Sequence, residues 1–531
     1  MLSGLMMDDF QLSLTAIVER AEQLNSTRPV VSRSPDGSLA RTTIGECATR
    51  ARRLAGALAA LGVCEGDRVA TLLWNQIEHL ELYFAVPLMG AVLHTLNPRL
   101  NAHELDHIAA DAEDRVIVVD ESLLGVLDSV GWEFEHVIVV GGSRALPGPA
   151  IQYESLITSA QPTSWPHLNE RRAAVMCYTS GTTGHAKGVV YSHRALVLHS
   201  LVASLPDALG ISKRDVIMPI VPMFHVNAWG LPYSAALNGA ALVLPGSRLD
   251  PQSLLDLLEG ERVTLTAGVP TVWMGVLAAL DAEPDRWDLR TVQRVNIGGA
   301  AAPLTLLEGF SRHGLRVIQG WGMTETSPIG TICQLPTELE SAQLSEQHRY
   351  LARQGVALPF FELRARSDDG ELVPWDDCAM GELEVRGPWV AAAYHRGESA
   401  DRFTDDGWFR TGDVVRIDAR GCIRICDRAK DLVKSGGEWI STVDLENHLM
   451  AHDAVEEAAV IAIPDEYWGE RPLAAVVLRH GARASSEELR EHLSSEFVSW
   501  QLPERIEFIE AIPRTATGKF KKTELRERFA Q

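Results

Sequence analysis

Basic residues are in short supply in this chain of 531 residues: 49 Lys and Arg face 71 Asp and Glu, a net charge of −22. A general nucleic-acid or anionic-membrane binder needs a basic surface, so the balance argues against both. It leaves room for an anionic small molecule, because a few buried lysines make a local positive site. Long apolar runs are missing, and none could span a bilayer. The opening MLSGLMMDDFQLSL has acids where a secretory leader carries its basic region, so secretion is not expected and a cytoplasmic location is. Cysteine is sparse as well. Seven are scattered from Cys47 to Cys426, and the one close pair, Cys422 and Cys426, fits neither zinc-site nor disulfide-framework spacing. Reduced thiols are the reading. Internal repeats and low-complexity tracts are also absent.

What is present is ordinary globular material, 46% apolar and 23% charged, at a length too great for one core. Up to about residue 330, short apolar runs such as 175–177, 216–218, 241–244, 263–265 and 294–297 read as buried strands. Helical patterns lie between them; after Ser192, Leu198, Leu201, Val202 and Leu205 share one helical face. Such alternation predicts a parallel or mixed sheet covered by helices. From about 355 the pattern shifts to short strands: GELEVRG, and a hairpin of DVVRID and CIRICD around Ala419-Arg420-Gly421. The last hundred residues mix both, with a capping box at Ser485 and Glu488 before a helix and with AAVIAI and LAAVVL as strands. DRAKDLVKSGGEWIS, polar and glycine-bearing, marks the boundary. The expected fold is a large N-terminal α/β domain of helix-covered sheets with a β-rich subdomain over 1–427. A hinge at 428–432 and a small mobile α+β lid over 433–531 complete it.

The stretch YTSGTTGHAKGVVYSH follows an apolar strand from Ala173 to Tyr178. Gly181 and Gly184 let backbone N–H groups turn towards an anion, Thr179, Ser180, Thr182 and Thr183 add donors, and Lys187 adds charge. A Walker A loop joins Gly, Lys and Ser/Thr directly, but Gly184 and Lys187 are three apart here. TGKF at 517–520 fails too, with Phe520 after the lysine. The stretch instead resembles the signature of the adenylate-forming superfamily of acyl-CoA synthetases, luciferases and peptide-synthetase adenylation domains. Four further segments match that family in order: GWGMTETSP at 320–328, DGWFRTGDVV at 406–415, DRAKDLVKSGGEWIS at 427–441 and PRTATGKFKK at 513–522. The resemblance covers essentially the whole chain. Ala186 departs from it, standing where the family usually has proline.

The resemblance implies two steps: a carboxylate attacks the α-phosphate of ATP to give acyl-AMP, then coenzyme A displaces AMP. An anion approaching a tetra-anion needs Mg²⁺ and lysines. Glu325 with Thr179 or Thr324 is the expected metal set, because Mg²⁺ prefers few protein oxygens plus phosphate. By resemblance Asp413 and Arg428 take the ribose, and Lys519 bridges carboxylate and α-phosphate. Gly298, Gly299 and Ala300, with Gly320, Trp321 and Gly322, lie along adenine and acyl group. Lys430 is the implied hinge; Lys434, Gly436, Gly437 and Trp439 belong to the face that receives coenzyme A.

For the acid itself, MFHVNAWGLPY resembles the acyl-pocket helix of fatty acyl-CoA synthetases. His225 and Trp229, four apart, are expected on one helix face. MMDDFQLSL and HTLNPRLNAHEL resemble the branch of medium-chain fatty acid and 3-methylthiopropionate ligases. Trp229, with Trp389, would shorten the pocket and favour short or medium aliphatic acids. Rival readings are an acyl-AMP ligase loading a carrier protein and a non-catalytic nucleotide-binding relative; a possible homodimer is the expected assembly.

Overall fold

In the computed structural model, residues 7, 9–142, 148–179, 186–435, 438–514 and 520–529 are described. Two large sheets form the first body. One runs in the order Ile151–Gln152, His136–Val140, Val116–Asp120, Arg68–Leu72, Val92–Thr95, Ala173–Tyr178, Gly188–Ser192. All its pairings are parallel except the last. The other has a parallel centre of Arg294–Ile297, Leu265–Gly268, Val216–Pro219 and Ala241–Leu244, with antiparallel strands at both edges. Parallel strands buried on both faces read as continuous apolar runs, which is why 241–244 and 294–297 were legible. Strand 263–265 was placed early; the strand is Leu265–Gly268.

Helices fill the space between the sheets. In Ile77–Leu88 every residue from His79 to Leu88 is buried, as expected of a helix apolar on all sides. A fully buried Leu or Phe contributes about 1.5–3 kcal/mol, so Leu80, Leu82 and Phe84 anchor this interface. Burial there also imposes conditions on the one acid. Glu81 meets Arg50 Nε at 2.5 Å and accepts from Tyr153 Oη at 2.8 Å, and desolvation still raises its pKa to about 7.

The helix after Ser192 exists, as His193–Ala203, with Ser192 Oγ capping Ala195 N. Its buried face matches the spacing only in part: Val202 is buried and Leu198 packs on the core. Leu201 and Leu205 are exposed, while Leu196, His199, Ser200 and Val202 point inward. His199 can be buried because its Nε2 accepts from Ile329 N, a partner 130 residues away that no local pattern reveals.

A four-stranded antiparallel sheet follows: Glu362–Arg366, Gly381–Arg386, Phe409–Ile417, Ile423–Arg428. GELEVRG and the 409–428 hairpin fall where expected. In the last sheet Gly469–Leu478 pairs with Val455–Asp465 along one edge; along the other it meets Val433–Ser435, of the short hairpin with Glu438–Ile440, and then Arg505–Phe508 in parallel. The Ser485–Glu488 capping box opens helix Ser486–Ser494. All seven cysteines are free thiols, five of them buried.

Candidate active site

The phosphate-loop candidate hangs between two paired strands. Thr179 N donates to Lys187 O at 3.0 Å, and Lys187 N donates to Thr179 Oγ1 at 3.1 Å. These two bonds close the loop's mouth; Ser180, Gly181, Thr182, Thr183 and Gly184 lie outside the described residues. Ala186 packs into the apolar cluster that holds Tyr178. Lys187 is half-buried, its Nζ bonded to Ser399 Oγ and set 5.2 Å from the centroid of the Tyr394 ring.

Glu325 sits on a tight turn, Thr324–Thr326, just past strand Val317–Gly322, and is 5% exposed. Tyr394 Oη donates to Glu325 Oε1 at 2.5 Å, and Ala391 N donates to the Glu325 carbonyl at 2.7 Å. Tyr191 Oη, on the strand after Lys187, donates to the Thr324 carbonyl at 2.6 Å. The turn requires a glycine at 322, since a Cβ there would lie 1.9 Å from Pro328 O. A buried carboxylate with threonine oxygens nearby in sequence is a hard, oxygen-only donor set, which suits Mg²⁺.

Asp413 pairs across the ladder with Arg428. Its Oδ1 meets Arg428 Nε at 2.8 Å and its Oδ2 accepts from Trp321 Nε1 at 2.8 Å. Both carboxylate oxygens are therefore fixed in direction and keep spare lone pairs for paired hydroxyls. Trp321 is 6% exposed and packs edge-on to Phe361. Its indole N–H braces Asp413, a contact 92 residues away that the motif itself does not reveal.

At the end of strand Arg294–Ile297, Gly298 is buried and Gly299 and Ala300 are exposed. A Cβ on Gly298 would lie 3.0 Å from Trp229 Cη2 and 3.3 Å from Gly320 O. Gly320 is equally confined, with Thr331 O 3.0 Å from a Cβ position. Three of the expected residues, Gly298, Gly320 and Trp229, thus meet at one point.

The segment around Trp229 is not the helix that the spacing of His225 and Trp229 suggested. His225 is extended, and Val226, Asn227, Ala228 and Trp229 have φ of 47°, 53°, 47° and 56°. A left-handed turn of L-residues costs about 1–2 kcal/mol per residue, so tertiary bonds must hold it. Tyr83 Oη donates to Met223 O at 2.5 Å, Asn75 Oδ1 accepts from Met223 N at 2.7 Å, and Ala228 N donates to Pro222 O at 3.2 Å. The helix begins only at Leu231. His225 and Trp229, both half-buried, do not share a helix face. Trp389 also departs from expectation. It is 1% exposed, stacked on Phe361, with Nε1 bonded to Ile329 O at 3.1 Å, so it is core and not pocket wall.

Beyond Arg428 the chain turns, with Asp431 N and Leu432 N both donating to Arg428 O. Lys430 is exposed on this turn. Lys434 pairs in register with Trp439, holds its Nζ 5.2 Å from that ring and meets Asp368 at 2.5 Å. Gly436, Gly437 and Lys519 lie outside the described residues. The Lys519 loop is tied at its base by the Arg514–Phe520 bridge and by Lys521 N donating to Pro513 O at 2.8 Å.

Two features escaped the sequence. Tyr394 gave no motif signal beyond its position before the ribose-motif segment. Lys522, within PRTATGKFKK, is buried against Glu446 at 2.7 Å and Asp427 at 3.8 Å, and nothing distinguishes it in sequence from its exposed neighbour Lys521.

Residues 18–395 match the family model described as AMP-binding enzyme, and 444–519 match AMP-binding enzyme C-terminal domain. A long-chain-fatty-acid–CoA ligase of Thermus thermophilus is 51% identical over 99% of this chain and 96% of its own. A medium-chain-fatty-acid–CoA ligase of Ectopseudomonas oleovorans is 42% identical, covering 98% and 96%, and a 3-methylmercaptopropionyl-CoA ligase of Ruegeria lacuscaerulensis is 41% identical, covering 98% and 97%. Among solved structures, ATP-bound MatB from Rhodopseudomonas palustris superposes with a TM-score of 0.83 at 27% identity, covering 98% of this chain and 99% of that one. No helix among the described residues is long and apolar enough to cross a membrane. The chain belongs to the AMP-binding enzyme family, as an AMP-forming acid–CoA ligase that works with ATP, Mg²⁺ and coenzyme A.

Proposed function

We propose that the protein activates a short- or medium-chain aliphatic carboxylic acid and delivers it to coenzyme A. The acid's carboxylate attacks the α-phosphate of ATP and pyrophosphate leaves; the thiol of coenzyme A then attacks the acyl carbon and AMP leaves. Asp413 receives the ribose hydroxyls, and the Thr179–Gly184 loop with Lys187 holds the pyrophosphate end. Gly298, Gly299, Ala300, Gly320, Gly322 and Thr324 leave room for adenine and the acyl-phosphate. Lys519 meets the charge developing between carboxylate and α-phosphate. Mg²⁺ held by Glu325 and Thr179 would neutralise phosphate charge. The observation that carries this reading is the Trp321–Asp413–Arg428 array, a preset pair of carboxylate acceptors directly before the chain's turn at Lys430.

In this reading residues 1–427 bind nucleotide and acid, and 433–531 rotate about 428–432. Rotation exchanges Lys519 for the face of Lys434, Gly436, Gly437 and Trp439, clearing a path for the pantetheine arm. His225 and Trp229 border the acid. The contact of Trp229 with Gly298 supports a short pocket, because the indole lies against the strand end that carries the nucleotide segment. A long-chain pocket is the second reading, favoured by the 51% identity to the Thermus long-chain ligase. A homodimer in the cytoplasm completes the proposal; light scattering tests the former.

Pyrophosphate release with Mg-ATP, across acids from acetate to palmitate plus 3-methylthiopropionate, with and without coenzyme A, tests the substrate. Sustained, CoA-dependent turnover centred on C4–C10 acids or 3-methylthiopropionate is the expected result. An optimum at C14 or longer establishes the second reading, and a burst unaffected by coenzyme A points to another acceptor.

A further inference from the structure

Tyr394 lies between the two charges that the nucleotide needs most. Its hydroxyl donates to Glu325 Oε1 at 2.5 Å, while the Lys187 ammonium lies 5.2 Å from its ring centroid. The ring itself is fixed edge-on against Phe403, at 5.7 Å, and Phe409, at 6.3 Å, and the residue is 6% exposed. Lys187 Nζ is directed to Ser399 Oγ, and among the described residues no ion pair joins Lys187 to Glu325.

Proximity makes that arrangement costly to maintain without a spacer. An ammonium on the face of a ring and a carboxylate at its hydroxyl attract each other in a half-buried site, and a closed pair would neutralise both. Lys187 would then be lost to the phosphates and Glu325 to the metal. An aromatic ring solves this physically: its face accepts the cation, and its hydroxyl, on the edge, satisfies the carboxylate.

We infer that Tyr394 is a positioning residue that keeps Lys187 and Glu325 apart and orients Glu325 towards the metal of Mg-ATP. The inference rests on the reading of Glu325 as the metal carboxylate. It assigns two separable jobs, the hydroxyl to the carboxylate and the ring to the lysine.

Affinity for α,β-methylene-ATP, measured once with Mn²⁺ and once with EDTA, separates them; the ratio is the metal's share of binding. In Tyr394→Phe this ratio should fall about tenfold, the scale of one hydrogen bond to a charged group, with metal-free affinity unchanged. At saturating Mg²⁺, its turnover should return to within about threefold of the parent. Tyr394→Leu, which also removes the ring, should weaken metal-free binding as well, because Lys187 is then free to close on Glu325. Circular dichroism and Tm of each variant establish folding. If Glu325→Gln shrinks the ratio but Tyr394→Phe does not, the role of Tyr394 is overturned alone. If Glu325→Gln leaves the ratio unchanged, the metal assignment fails and the Tyr394 inference with it.

Discussion

Trp321 Nε1 donates to Asp413 Oδ2 across 2.8 Å, joining the acid-bearing motif to the ribose motif 92 residues later. Replacing Trp321 by Phe keeps the ring's packing against Phe361 and removes only this bond. Losing a hydrogen bond to a charged group costs about 1.5–3 kcal/mol. The KM for ATP should therefore rise about tenfold or more while kcat changes less. Steady-state kinetics with ATP varied decides it, and an unchanged KM would show that Asp413 needs no brace.

Lys519→Ala should lower the adenylation rate by at least ~10²-fold, the usual loss for a donor to transition-state charge. Thioester formation from supplied acyl-AMP should survive. The two half-reactions, measured separately, would refute the role if they fell equally.

Lys430→Pro fixes φ at the turn that follows Arg428. Thioester formation should suffer much more than pyrophosphate release, since in the proposed mechanism only the second step follows rotation of 433–531. Normal rates for both half-reactions would move the hinge elsewhere.

Trp229→Ala should shift preference to longer acids. Each additional buried methylene is worth about 0.8 kcal/mol, so two more accommodated carbons should raise relative kcat/KM by roughly tenfold. A chain-length profile identical to the parent's would remove Trp229 from the pocket.

Glu81 links stability to pH. Its pKa is raised to about 7 in the folded protein by burial, against Arg50 and Tyr153, which oppose the shift. With the folded value above the unfolded one near 4.5, the folded state holds the extra proton. The contribution is thus fully present below about pH 4.5 and is lost as pH rises through about 7, amounting to roughly 3 kcal/mol. Urea unfolding from pH 5 to 8 should show the parent losing stability relative to Glu81→Gln. Parallel pH profiles would place the Glu81 pKa at an ordinary value.

How far the sequence reached can be judged residue by residue. Periods of two and of about 3.6 are local, so the strands 241–244, 294–297 and 381–386 and the Ser485 cap were legible. Local order also carried the family resemblance, because five motifs stand in the family's order, while the spacing of Gly184 and Lys187 departs from the Walker type. What the sequence could not decide depended on partners far along the chain. The left-handed turn at 226–229 follows Met223, whose carbonyl and N–H are fixed by Tyr83 and Asn75, partners that no local pattern reveals. Trp389 became core through Phe361 and Ile329, Trp321 became a brace through Asp413, and Tyr394 came to contact both Lys187 and Glu325. Composition and spacing determine which chemical groups are available. Only folding, by burying each polar atom against a particular distant partner, decides which groups are spent on structure and which remain free to act.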